Sequence, residues 1–81
     1  MRVTVHFHAR CRELAGCAET TEELAGGGTI AQLLERLSVR FPQVAAMDKS
    51  LLIAVGVDYQ RRDCALHDGD EVSLLPPVQG G

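Results

Sequence analysis

One segment leaves this chain few ways to fold. Thr29-Ile30-Ala31-Gln32 has the spacing of a capping box. In that motif the threonine hydroxyl accepts an otherwise unpaired N–H of the first helical turn, and the glutamine side chain reaches back to the threonine N–H. Ile30, Leu33, Leu34, Leu37 and Phe41 follow at offsets 0, +3, +4, +7 and +11, one apolar stripe along a helix. Arg36 and Arg40 lie toward the C-terminal end, where positive charge suits the helix dipole. Pro42 disfavours helical geometry at Phe41 and closes the segment. Val44 to Lys49 can add a further helical turn. A single amphipathic helix must bury its stripe against another element, and the segments around it read as strands.

Met1 to His8 alternates, with Val3, Val5 and Phe7 on one side and Arg2, Thr4, His6 and His8 on the other. This period of two predicts a half-buried strand. Ala9 to Gly16 reads as a short helical loop, with Leu14 as its apolar anchor and Gly16 able to end it. Cys17 to Leu24 reads as a short edge strand beside the first. Gly26-Gly27-Gly28 lacks the lysine and the spacing of a phosphate-binding loop. Leu51 to Val57 is a nearly continuous apolar run, predicted as a strand buried on both faces for part of its length. Gly56 marks a bend or a close backbone approach. A brief strand is expected within 59–62. Asp68-Gly69-Asp70 is a turn. In the last strand, Glu71 to Leu75, Val72 and Leu74 face one way and Ser73 and Leu75 the other. The expected architecture is α+β: a mixed sheet with one main helix on one face, packed on Val3, Val5, Phe7, Val72 and Leu74. The opposite face, carrying His6, His8, Leu75 and Tyr59, has no cover of its own and suggests a partner.

Size narrows the function. Eighty-one residues make one domain, which buries only about 60–65% of its unfolded surface and leaves little room for an enclosed catalytic pocket. The net charge of −3 argues against nucleic acid. Arg10 with Arg12 and Arg61 with Arg62 are the only basic pairs, read as solvated surface charge. Lys49 is the only lysine. Cys11, Cys17 and Cys64 form no CxxC pair and have no metal-ligand spacing. His6 and His8 read as alternate strand residues rather than as ligands alongside Cys11. Free thiols and the lack of a long apolar run predict a cytoplasmic protein that neither spans nor binds a membrane.

The C-terminal stretch is the one with chemical character. The last strand runs into Pro76-Pro77-Val78-Gln79-Gly80-Gly81. Two glycines at a terminus contribute nothing to a fold, because glycine loses more backbone freedom on ordering than any other residue. They suit a carboxylate threaded, free of side chains, into another protein's active site. Residues 1–75 are expected to form the body and 76–81 a flexible tail. The extended reach from Leu75 to Gly81 is about 20 Å. Pro76 and Pro77 stiffen its root and lower the entropic cost of ordering it.

These features resemble the small ubiquitin-like sulfur carriers, closest to the small subunit of molybdopterin synthase. The residues that carry the resemblance are Phe7, Arg12-Glu13-Leu14-Ala15-Gly16, Phe41-Pro42, Leu52 to Val55 and, most specifically, Asp68-Gly-Asp-Glu-Val, Pro76-Pro77-Val78 and Gly80-Gly81. The chain departs from the family's usual pattern at His8, Gly56 and Gln79. The resemblance implies a β-grasp fold and a carrier role. The carboxylate of Gly81, presented through Gly80, would be adenylated at the expense of ATP by a ubiquitin-activating-like adenylyltransferase. It would then become a thiocarboxylate and give its sulfur to a pterin precursor in the large catalytic subunit of molybdopterin synthase. The chain would be a sulfur-donating subunit with no tightly bound cofactor or metal of its own. Leu75, Pro76, Pro77, Val78, Gln79, Tyr59, His8 and Arg12 are the expected partner contacts. A sulfur carrier for thiamine, cysteine or tRNA thiolation, a ubiquitin-like modifier and a simple binding module remain alternatives.

Overall fold

The computed structural model describes residues 1–77. In chain order the elements are β1 (Arg2–Phe7), α1 (Arg10–Ala15), β2 (Glu19–Glu23), α2 (Ile30–Arg40), α3 (Pro42–Ala45), a 3₁₀ turn (Asp48–Ser50), β3 (Leu52–Val55), β4 (Asp58–Tyr59) and β5 (Glu71–Leu75). The sheet order is β2-β1-β5-β3-β4. The central pair, β1 and β5, is parallel, and all other neighbours are antiparallel. This is the expected α+β, β-grasp arrangement.

The capping box forms: Thr29 Oγ1 accepts from Gln32 N at 3.4 Å, and Thr29 N donates to Gln32 Oε1 at 2.9 Å. Two more first-turn donors, the N–H groups of Ile30 and Ala31, go to the carbonyls of Cys64 (3.0 Å) and Arg62 (2.9 Å). The irregular segment after β4 therefore completes the cap of α2. The helix stops where Pro42 requires it, with Phe41 at φ −132°. Ile30, Leu33 and Leu37 are buried against Val3, Val5, Phe7, Val72 and Leu74, as the alternation of β1 and β5 predicts. The rings of Phe7 and Phe41 meet edge-on at 5.0 Å.

Four details differ from the sequence reading. In α1 the buried residue is Cys11, while Leu14 is only partly covered. A thiol is small and apolar enough to serve as a core group. Of the two readings of Gly56, the bend holds and the close backbone approach does not, since nothing stands within 4 Å of where its Cβ would be. Its φ of +62° places it at the first position of the two-residue β3–β4 turn, which favours glycine. Arg62 is not free surface charge. It is half-buried, its Nε sits 3.3 Å from Asp48 Oδ1, and its Nη2 also donates to the Asp48 carbonyl. Arg36 and Arg40 do more than favour a helix end. Both grip Glu22, which points from β2 onto the helix side of the sheet, at 3.2 and 2.8 Å.

Candidate functional site

The root of the tail is built from the middle of the sheet. β5 lies between β1 and β3, so its end is held on both sides. Leu75 is in register with Leu52, and the N–H of His8 donates to the carbonyl of Leu74 at 3.2 Å. The other end of β5 is equally fixed. In the Asp68–Asp70 turn, Asp68 Oδ1 accepts from Arg2 N at 2.8 Å, the Asp70 carbonyl accepts from Thr4 N at 3.0 Å, and Gly69 adopts φ +86°. The Asp-Gly-Asp stretch thus locks the parallel pair β1–β5. Pro76, half-buried, and Pro77, exposed, end the strand because they offer no ladder N–H. Val78, Gln79, Gly80 and Gly81 lie outside the described residues.

The sheet face opposite α2 is uncovered. Strand register places Leu75, Leu52, Ala54 and Tyr59 together on it. Tyr59 is 67% exposed and Leu52 40%. Ile53 and Ala54 are buried on opposite faces, as expected for part of β3, while Leu52 opens onto the free face. Leu52 is the residue sequence reasoning missed. Its signal was the alternation with Ile53, masked by an apolar run that reads as buried throughout. The β1 side of this face is polar: His6 Nε2 lies 2.9 Å from Glu71 Oε1. His8 is exposed just beyond β1, and Arg12 is exposed on α1. Both follow the end of β1 that runs parallel to β5, so they belong to the end of the sheet from which the tail leaves.

A cavity of about 360 Å³ opens between α2 and α3, lined by Leu34, Leu37, Ser38, Val44 and Leu51 with the Asp48–Arg62 pair. The Ser38 hydroxyl donates to the Glu35 carbonyl, and Asp48 is engaged with Arg62. Among the described residues no three His, Cys, Asp or Glu side chains group to hold a metal ion, and no helix is long and apolar enough to cross a membrane.

The family model described as the ThiS family matches residues 5–81, almost the whole chain. This chain belongs to the ThiS family. Among its relatives, the molybdopterin synthase sulfur carrier subunit of Chlamydomonas reinhardtii is 36% identical over 83 residues, covering all of both chains. A Pyrococcus furiosus structure given as molybdopterin converting factor, subunit 1, superposes with a TM-score of 0.86 at 34% identity, covering 96% of this ThiS-family chain and 99% of that one. The complex of subunits 1 and 2 of molybdopterin-converting factor from Helicobacter pylori is similar in fold, with a TM-score of 0.69 at 24% identity over the whole of both chains. Family membership, read first from the Asp-Gly-Asp, double-proline and diglycine residues, is borne out.

Proposed function

We propose that this chain is the sulfur carrier subunit of a molybdopterin synthase. The observation that carries the reading is the placement of the tail root. The central strand ends in a double proline beside an open apolar patch of exposed Leu52 and Tyr59 and half-buried Leu75. A body that docks through this face aims the following residues into its partner. A carboxylate is a poor electrophile, so the Gly81 carboxylate first attacks the α-phosphorus of ATP on an adenylyltransferase, giving an acyl adenylate and pyrophosphate. Nucleophilic sulfur from a donor then adds to the acyl carbon and AMP leaves, giving the thiocarboxylate. That sulfur adds to an electrophilic carbon of the pterin precursor on the large subunit, and water then hydrolyses the acyl–sulfur bond, so that the sulfur stays on the pterin and Gly81 leaves as a carboxylate; the large subunit supplies the acids, bases and oxyanion donors. Gly80 keeps the path to the acyl carbon free of side chains. Pro76, Pro77, Val78 and Gln79 line the entry, and His8, Arg12, Leu75, Leu52 and Tyr59 meet the partner's surface.

The names of the full-length relatives from Chlamydomonas reinhardtii and Pyrococcus furiosus support this reading. The test is the intact mass after incubation with a ubiquitin-activating-like adenylyltransferase, ATP and a sulfur donor. The expected product gains the difference between one sulfur and one oxygen. A ladder of larger lysine-linked conjugates in lysate would favour a protein modifier instead. An unchanged mass would reject carrier chemistry.

A further inference from the structure

We propose that the cavity between α2 and α3 is a binding site for a small amphiphilic cation, an apolar ring or short chain that carries a protonated amine. One side of α2 builds it. Ala31, Leu34, Glu35 and Ser38 stand three and four residues apart, so they share a helix face, and all four line the cavity. Ile30 and Leu33 are fully buried in the core instead. Leu34 belongs to the apolar stripe, yet the fold covers it only in part. Val44 from α3, Leu51 just before β3 and Leu74 from β5 complete an apolar wall. The small side chains of Ala31 and Ala45 leave the space open. At about 360 Å³ it has the size of a small ligand pocket.

The polar residues of the cavity select the head group. They are Glu35, Ser38, Asp48 and Arg62. The charge of Arg62 is committed to the protein: Nε sits 3.3 Å from Asp48 Oδ1, and Nη2 donates to the carbonyls of Asp48 and Leu51. Its Nη1 has no bond among the described residues, but the neighbouring Asp48 carboxylate offsets its charge. Asp48 Oδ2 is likewise unbonded among the described residues, and the Glu35 carboxylate makes no hydrogen bond or ion pair with them. The Ser38 hydroxyl spends its proton on the Glu35 carbonyl, so to a ligand it can only accept. Two carboxylates against one guanidinium leave a single negative charge in excess. An anionic head would be repelled. An alkylamine, protonated at neutral pH like a lysine, brings a positive charge and three N–H donors to these acceptors. Leu51 and Leu74 line the cavity, while the residues that follow them, Leu52 and Leu75, open on the opposite face of the sheet. The occupant therefore sits behind the docking patch and leaves it free.

The probe is phenethylammonium, titrated at low salt and neutral pH into the isotope-labelled full chain and followed by amide chemical shifts. The expected result is saturable shifts at Leu34, Ser38, Val44 and Leu51 with a Kd of about a millimolar or below, as suits so small a ligand. Hydrocinnamate, a similar body with an anionic head, should bind at least about tenfold more weakly, because the excess charge repels it. Glu35→Gln, at an exposed position, should weaken the amine by about threefold, the scale of an exposed ion pair. Ala31→Leu, also exposed and compatible with the helix, fills the space and should abolish the shifts without changing the circular dichroism. Three results would each overturn the proposal: no saturable shifts, equal binding of the anion, or undiminished binding by both variants. Shifts at the same amides that grow with protein concentration, without the probe, would make the cavity a contact between two copies and overturn it as well. The titration uses no activated tail, so its outcome is independent of the mass test for sulfur transfer.

Discussion

Glu22 is the residue with most to lose. It is 8% exposed on a strand otherwise lined by solvent, and its two oxygens take one arginine each. Arg40 also donates to Thr20 Oγ1 at 2.7 Å and to the Thr21 carbonyl at 3.1 Å, so this cluster fastens the edge strand to the helix. Glu22→Gln keeps the shape and removes the charge from both contacts. We expect a loss of about 1–3 kcal/mol in denaturant unfolding, the scale of hydrogen bonds to charged groups. Cys11 makes a second prediction. Burial pushes its thiol above the usual 9.0, outweighing a backbone hydrogen bond that lowers it. The unfolded thiol ionises first, so the folded state holds more protons in that range. Stability contributed by Cys11 is therefore intact below pH 9.0 and lost as pH rises from there toward the folded value. Unfolding of wild type and Cys11→Ala, followed from about one unit below the ordinary thiol pKa to about one and a half above it, should show the steeper decline in wild type. Equal slopes would reject the assignment.

At the level of elements, the decisive join is between α2 and the irregular segment after β4. Thr29→Ala removes the hydroxyl that accepts from Gln32 N and should cost about 1 kcal/mol. The neighbouring donors of Ile30 and Ala31 keep their carbonyl partners, so the helix should persist by circular dichroism. The open sheet face gives the functional counterpart. Leu75 and Leu52 face each other across β5 and β3, and Leu75→Glu places a charge in the middle of the patch. Burying an unpaired carboxylate in an interface is costly. Affinity for the large subunit should fall at least tenfold in calorimetry while thermal unfolding shifts little. Unchanged affinity would remove this face from the interface.

At the scale of the whole molecule, the body is expected to fold without the last residues. The described core of Val3, Val5, Phe7, Ile30, Leu33, Leu74 and their neighbours lies entirely before Pro76. A chain cut after Pro77 should unfold cooperatively with its midpoint within about 4 °C of the parent, since less than about half a kcal/mol is at stake for a domain of this size. It should acquire no sulfur. Loss of cooperative unfolding in that truncation would show that the last four residues belong to the body.

Residue order is enough to set the main elements. Thr29 and Gln32 start the helix, Pro42 stops it, and the alternation of Val3, Val5 and Phe7 chooses a face. Each of these signals acts between residues close in the chain, so local geometry is enough to read them. Only the folded chain settles that Cys11 fills the core, that Leu52 is exposed beside Leu75, that Glu22 turns inward to two arginines and that Arg62 bonds Asp48. Those outcomes depend on which strands become neighbours and in what register. Register is a property of pairs distant in sequence, where a shift of one residue would exchange the buried and open faces.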